Sequence, residues 1–268
     1  MGKGVYRRIT PPKELIPGIV LLTVLLLFCL FGLLFLKSNA KCINLNKRLQ
    51  HPSLTHPCGT DRLGRCVLSR SLVGSLSSVS GSMSALLLTL AIGIPLGVLA
   101  GFGPKFCNTV ITILTDIVLG FPLLLLAISL AGMLGASLLS CILGIGLAGW
   151  PIWTRLVKGM IISTQEKEYV QAARVMGIKG WRLIFHYIMP NILPSIITVA
   201  CMHAGSLLVF ISGLSFLGFG PGPEIPELGK MLRNARMYLY SAPWTFLTPG
   251  AMIFWSISGF YLLGAGMR

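Results

Sequence analysis

Acidic residues are scarce in this chain of 268 residues, which holds 7 Asp and Glu against 22 Lys and Arg. Charged residues make up only 11% of the sequence, whereas a soluble domain typically carries about 25%. Hydrophobic residues make up 54%, and the mean hydropathy is +0.82. This balance excludes an ordinary soluble domain and indicates an integral membrane protein. The net charge of +15 lies in the loops, where it fits anionic lipid headgroups and topology signals better than nucleic acid.

Motifs for nucleotide binding and hydrolysis are also missing. Gly229-Lys230-Met231 superficially suggests a phosphate-binding loop, but Glu224 stands where the loop needs Gly, and no Ser or Thr follows the lysine. Neither an HExxH nor a GxSxG motif occurs. The seven cysteines have neither CxxC nor zinc spacing. We therefore predict that the chain is not an enzyme and binds no cofactor or metal, so any ATP that drives it is bound by another chain.

Long apolar runs predict an all-α protein with six transmembrane helices, each able to cross a hydrocarbon core of about 30 Å. A basic tail at 1–16 precedes the first span at 17–36, and a polar segment follows at 37–78. The core at 79–268 contains the five other spans, at about 79–101, 105–134, 137–157, 191–213 and 246–266.

A signal peptide is the alternative interpretation of the first span. Ser38-Asn39-Ala40 looks like a cleavage site. The uncharged run from Gly18 to Leu36 is 19 residues long, which is too long for an ordinary signal-peptide core. A retained helix is therefore favoured.

Two features predict the shape of the next spans. Gly93, Gly97 and Gly101 recur at four-residue steps and form a stripe that allows another helix to approach closely. Phe121-Pro122 predicts a kink in the third span.

A polar, basic segment at 158–190 separates the fourth and fifth spans. It predicts a short helix around Ala172 and Ala173, a break at Gly177, and a second short helix from Trp181 that ends at Pro190. The apolar side chains of this segment are expected to be available to a partner protein: Val170, Ala173 and Val175.

This segment resembles the coupling loop of ABC-type import permeases, in which two alanines, a glycine and a proline recur at the spacing of Ala172, Ala173, Gly177 and Pro190. The family's glutamate is replaced here by Gln171. The resemblance implies that loop 166–190 contacts an ATPase through Glu168, Gln171, Ala172, Ala173, Gly177 and Pro190.

Two further segments narrow the resemblance. Residues 56–70, HPCGTDRLGRCVLSR, are similar to the HPLGTDxLGRDxxSR segment of the peptide/nickel permeases, except at Cys58 and Cys66. Residues 214–233 are similar to a second segment of that subfamily, with Leu228 where Trp is usual. In the first segment, Thr60 and Asp61 are expected to cap a short surface helix.

This resemblance implies an importer of peptides or nickel, free or chelated, in a bacterial cytoplasmic membrane. The implied partners are a homologous second permease, two ATP-binding subunits that use ATP and Mg²⁺, an extracytoplasmic substrate-binding protein and the lipid bilayer. Basic residues flank the first span on both sides, so charge leaves its orientation open. A coupling loop must face the cytoplasm, which places both termini inside and 37–78 outside.

An ion-coupled secondary transporter acting alone is an alternative, and a scaffold protein of the membrane is another. Secondary transporters usually need several ionisable groups within the membrane. The predicted spans contain one acid, Asp116, and one imidazole, His203.

These two residues, with Ser206, are the candidates for the translocation pathway. Asp116 either lines the path and meets a cationic group or fixes packing through a hydrogen bond. His203 lies near mid-membrane, where it either bonds to a facing helix or faces the substrate.

The polar segment at 37–78 raises one more question. His51, His56, Cys58 and Cys66 could hold a soft metal, Cys58 and Cys66 could form a disulfide, or all four could be unrelated surface residues. The sequence leaves these three interpretations open.

Overall fold

The structure is a computed structural model that describes residues 15–35, 43–222 and 224–267. Most of the predicted tail at 1–16 and the Ser38-Asn39-Ala40 sequence lie outside these residues. The long helices are α1 (Leu15–Phe35), α2 (Val67–Phe102), α3 (Lys105–Leu119), α4 (Leu123–Leu134), α5 (Leu138–Gln165), α8 (Met189–Leu217) and α10 (Trp244–Gly266). The short ones are α6 (Glu168–Val175), α7 (Gly180–Leu183) and α9 (Leu228–Ala235). No β-strand occurs in the described residues, so the all-α prediction is confirmed.

Five of these helical segments are long and apolar enough to cross a membrane, and the pair α3–α4 raises the number to six if it counts as one span. That pair was predicted as a single kinked helix, but its two halves meet at 86°. Pro122 has no N–H to continue the ladder from α3, and the Phe121 amide bonds to the Val118 carbonyl only three residues earlier, at 3.2 Å. The break is therefore sharper than a kink.

Helices α2 and α5 form the centre of the fold, and the glycine stripe of α2 explains their close approach. A Cβ on Gly93 would lie 2.5 Å from Trp153 Cβ, and one on Gly97 would lie 2.7 Å from Val157 Cβ. At Gly101 the nearest atom, on Ile161, would be 3.1 Å away. The predicted role of this stripe in helix packing is confirmed. Helix α1 packs at the outside, against α10 and α2.

The predicted boundary at residue 79 is wrong, because α2 begins at Val67. Its first turns are rich in serine, which lowers their hydropathy, yet Ser71, Ser75 and Ser78 are fully buried. Ser75 Oγ donates to the Ser71 carbonyl at 2.7 Å, so a hydroxyl is satisfied within the helix itself. Helix α5 likewise continues to Gln165, eight residues past the predicted end at 157.

Asp61 organises a loop and does not cap a surface helix as predicted. Its Oδ1 accepts from the amides of Leu63 (2.8 Å) and Arg65 (3.0 Å), and its Oδ2 accepts from Arg65 Nε at 2.8 Å. Thr60 pairs with Cys66 in an isolated β-bridge that closes the loop. Asp61 thereby fixes the entry into α2 at Val67.

Cys58 and Cys66 are free thiols in this structure. No three His, Cys, Asp or Glu side chains come together as a metal site anywhere in the described residues. His51 instead packs against the Trp244 ring, with centroids 4.7 Å apart. Of the three interpretations of these residues, the geometry favours separate surface and packing roles.

Candidate coupling surface and pathway residues

Helix α6 is seated on the rest of the chain by one face only. Val170 and Ala173 are fully buried and belong to the main hydrophobic core. The prediction that they are available to a partner is therefore wrong, since their own chain covers them. The opposite face carries Gln171 and Ala172, both exposed, and Val175 is 89% exposed.

The turn after α6 begins at Met176 and passes through Gly177, as predicted. Gly177 has φ +84°, which favours glycine, and a Cβ there would meet no atom within 4 Å. The Ile178 amide bonds to the Ala173 carbonyl at 3.0 Å and closes the helix end. Met176 is 70% exposed beside the turn. Together with Val175 it forms the apolar tip of the loop, which we call the 175–176 tip.

Side-chain hydrogen bonds tie α6 to the ends of α5 and α2. Arg174 donates to Gln165 Oε1 at 2.6 Å, and Gln165 Nε2 donates to the Gly101 carbonyl at 3.0 Å. Gln171 Nε2 donates to the Glu166 carbonyl at 3.0 Å. An ionised glutamate has no proton to donate, so the family's residue could not make this last bond. Gln171, in place of the family's glutamate, therefore supplies a hydrogen bond within the loop.

The second short helix of this segment does not end at Pro190, contrary to the prediction. Residues Ile184–Ile188 form one π-helical turn, and α8 starts at Met189 without a break. The Met189 amide bonds to the Ile184 carbonyl, five residues earlier. Pro190 lies in the first turn of α8, where a missing N–H is tolerated. Helix α7, the π turn and α8 are thus one continuous rod that begins at the coupling loop.

Asp116 on α3 forms an ion pair with Arg155 on α5. Both side chains remain more than half exposed in the isolated chain, at 56% for Asp116 and 61% for Arg155. One turn further along α5, Lys158 Nζ donates to Thr112 Oγ1 at 2.8 Å. The cationic group that the sequence suggested for Asp116 is therefore supplied by the same chain.

His203 is half-buried, and its Nδ1 accepts from Trp153 Nε1 at 3.0 Å. An imidazolium has no free lone pair on either nitrogen, so this contact requires the neutral ring. Ser206, one turn further on, is exposed. The partner of His203 is thus a tryptophan of α5, neither the backbone nor a serine.

Sequence reasoning missed Glu227, a fully buried acid at the start of α9. Its Oε1 accepts from Ser78 Oγ (2.9 Å) and the Gly229 amide (3.0 Å), and its Oε2 accepts from the Lys230 amide (2.8 Å). These bonds cap α9 and fasten it to α2. The sequence did offer one signal for Glu227: acidic residues are scarce, and it is one of only seven.

We expect Glu227 to make stability depend on pH. Burial raises the pKa of its carboxyl above 4.5, although its hydrogen bonds offset part of that effect. The folded protein then holds the proton more tightly than the unfolded chain. The resulting stabilisation is complete below 4.5 and is lost as the pH rises through the raised pKa.

Thermal unfolding of the purified protein across this window tests the expectation. Glu227→Gln should flatten the pH dependence, whereas Glu224→Gln, at an exposed acid nearby, should leave it unchanged. An identical pH profile in wild type and Glu227→Gln would contradict it.

Comparisons with known proteins agree with this architecture. Residues 93–265 match the family described as binding-protein-dependent transport system inner membrane component. The dipeptide transport system permease protein DppC of Alkalihalophilus pseudofirmus is 36% identical over 263 residues, which cover 98% of this chain and 86% of that protein. The nickel transport system permease protein NikC of Escherichia coli is 30% identical over 251 residues, which cover 94% of this chain and 91% of that protein.

Among solved structures, the methionine ABC transporter MetNI, in a crystal form described as inward facing, has a chain that superposes with a TM-score of 0.60. The match covers 72% of this chain and 91% of that one at 17% identity, so it supports the fold alone. The two sequence relatives show the family as well as the fold, since both are at least 30% identical over nearly the whole chain. The chain belongs to the inner-membrane components of binding-protein-dependent transport systems, as a permease of the peptide and nickel ABC importers.

Proposed function

We propose that this chain forms half of the translocation pathway of an ATP-driven importer for peptides or nickel, free or chelated. A homologous second permease supplies the other half, and a substrate-binding protein delivers the cargo from outside the cytoplasmic membrane. Two ATP-binding subunits dock on loop 166–190 and drive alternating access with ATP and Mg²⁺. The names of the relatives include both peptide and nickel cargo, so both are kept in the proposal.

The structure of loop 166–190 carries this proposal. Its inner face is locked into the core by Val170 and Ala173, and its outer face ends in the exposed 175–176 tip. An exposed apolar tip on a polar loop is suited to insertion into a groove of another protein. Because α7, the π turn and α8 are continuous, a push on the loop is transmitted into a membrane-spanning helix.

The six coupling residues then divide into two roles. Glu168, Gln171, Ala172 and Gly177 are exposed and lie on the proposed docking face. Ala173 seats α6, and Pro190 lies in the rod that leads to α8. The same proposal places Asp116, His203 and Ser206 along the pathway, because Asp116 and Ser206 are polar and exposed on membrane-spanning helices.

Photo-crosslinking from the tip tests the docking site. A photoreactive amino acid at Met176 should form an adduct with an ATP-binding subunit in the assembled importer. Met133 at the end of α4 is a matched control, since it is a methionine with 85% exposure. Adducts to the ATP-binding subunit at Met133 alone, or equally at both positions, would contradict the proposal.

A further inference from the structure

The polar residues of α3 lie on one face of that helix. Asn108, Thr112 and Asp116 recur every four residues, so they lie above one another on the helix surface. Arg155 and Lys158 lie three residues apart on α5 and meet this stripe. Between the two helices is a cavity of about 240 Å³. We call it the α3–α5 cavity.

The position of this cavity argues against contact with lipid. Arg155 lies within the predicted fourth span at 137–157, near its inner end, and Asp116 lies within the predicted third span at 105–134. Charged side chains inside a membrane are costly, and they almost always face a water-filled cavity or a protein partner. Arg155 and Asp116 are 61% and 56% exposed in the isolated chain, and we expect that exposed side to face the pathway or the second permease.

The charges of the cavity select the sign of a ligand. Two cations, Arg155 and Lys158, face one carboxylate, Asp116, so one positive charge is left over. Among the described residues, the Lys158 ammonium donates to the neutral hydroxyl of Thr112 at 2.8 Å. A free Ni²⁺ ion would meet two like charges there. An anionic group would complete the charge balance.

We propose that the α3–α5 cavity binds a carboxylate of the transported substrate, with Arg155 and Lys158 as the donors. A guanidinium binds a carboxylate through two parallel N–H···O bonds, and a lysine adds a point charge beside it. Asp116 holds Arg155 in place when the cavity is empty, and the substrate carboxylate takes over or shares that contact. This inference rests on the proposed function, since it concerns a permease that carries peptides or chelates.

Two sources of the carboxylate fit this chemistry: the C-terminus of a peptide, and a carboxylate chelator that surrounds nickel. Free Ni²⁺ does not fit. The inference therefore narrows the cargo from peptides or nickel to substrates that carry an unpaired carboxylate.

The first test is protection of Arg155 from phenylglyoxal, which modifies arginine, in the purified complete importer. We expect a dipeptide with a free C-terminus to slow the modification of Arg155 at least fivefold, and the same dipeptide as its C-terminal amide to have no effect. Nickel citrate and free Ni²⁺ are tested in the same way. Citrate alone at equal concentration is the control that shows whether protection by nickel citrate requires the metal. Arg236, which is exposed and lies outside the coupling loop, is the internal reference, which no ligand should protect.

The second test separates binding from a merely structural ion pair. Arg155→Asp combined with Asp116→Arg reverses the pair and keeps its attraction. If the pair serves only packing, this double variant should transport like wild type. Our inference predicts instead that it assembles normally but takes up the free-acid dipeptide at least tenfold more slowly, while uptake of the amide falls by less than twofold.

The substrate-binding protein is the same in wild type and variant, so its own preference cancels in this comparison. Equal loss for both dipeptides, full rescue by the double variant, or no protection of Arg155 by the free acid would each overturn the inference. If instead the proposed function is wrong, the wild-type importer shows no ATP-dependent uptake of any cargo, which is a different result. The phenylglyoxal test requires no transport and decides on the cavity in that case as well.

Discussion

Gly177→Asp should abolish ATP-driven uptake while the importer stays assembled in the membrane. Gly177 has φ +84°, so any side chain there adds strain of about 1–2 kcal/mol. No atom lies within 4 Å of the added Cβ, so the side chain clashes with nothing in its own chain. It instead places a negative charge beside the 175–176 tip, on the face proposed to enter an ATP-binding subunit. We expect uptake to fall at least tenfold.

Gly135→Asp is the matched control for this substitution. Gly135 has φ +85°, is exposed, and also has no atom within 4 Å of an added Cβ. It lies after α4, far along the sequence from the coupling loop. The added charge and the free space around it are therefore alike in the two variants. The backbone of Gly135 (φ 85°, ψ 168°) lies in a region that essentially only glycine adopts, so the control variant carries strain as well. Uptake and ATP hydrolysis in proteoliposomes should be near normal for Gly135→Asp. Normal uptake by a well-assembled Gly177→Asp importer would refute the assignment of the docking face.

The second large effect concerns the contact between α2 and α5. Gly97→Leu should prevent the chain from accumulating as a folded protein, because even a Cβ there would lie 2.7 Å from Val157 Cβ and 2.9 Å from the Thr154 carbonyl. Backbone atoms cannot move aside without separating the two helices. The milder Gly97→Ala should lower stability by about 1–3 kcal/mol, as overpacking typically does.

Gly213→Leu provides the comparison for the packing prediction. Gly213 lies within the membrane-spanning helix α8, and a Cβ there would meet no atom within 4 Å. The same apolar side chain should therefore be tolerated at this position. Thermal unfolding of the solubilised importer, followed by size-exclusion chromatography, measures both variants. Equal stability of Gly97→Leu and Gly213→Leu would show that close packing of α2 on α5 does not hold the fold together.

The sequence predicted the features that depend on local chemistry. Gly177 marks the turn because few other residues adopt a positive φ, and the four-residue spacing of Gly93 and Gly97 marks a close helix contact. The apolar spans followed from hydropathy, whereas the sharp break between α3 and α4 was predicted only as a kink. The two motifs at 56–70 and 214–233 led to a family that the comparisons confirm.

Features that depend on tertiary contacts were not predicted. Which face of α6 is buried is decided by the core beneath Val170 and Ala173, and an eight-residue helix has apolar residues on both sides. The start of α2 was missed because hydropathy counts Ser71 and Ser75 as polar, whereas the helix satisfies and buries them. The predicted helix ended at Pro190 because the sequence carries no clear signal for a π turn. Here the π turn at Ile184–Ile188 leads into α8 and accommodates the missing N–H of Pro190.

The claim that this chain transports only as half of an ATP-driven assembly is tested most directly by uptake into proteoliposomes. This chain, the second permease, the ATP-binding subunits and the substrate-binding protein are reconstituted together and compared with this chain alone. Our account predicts accumulation of peptide or nickel that requires ATP and every subunit, with no uptake by the chain alone under a proton or sodium gradient. Gradient-driven uptake by the chain alone, without ATP-binding subunits, would contradict it.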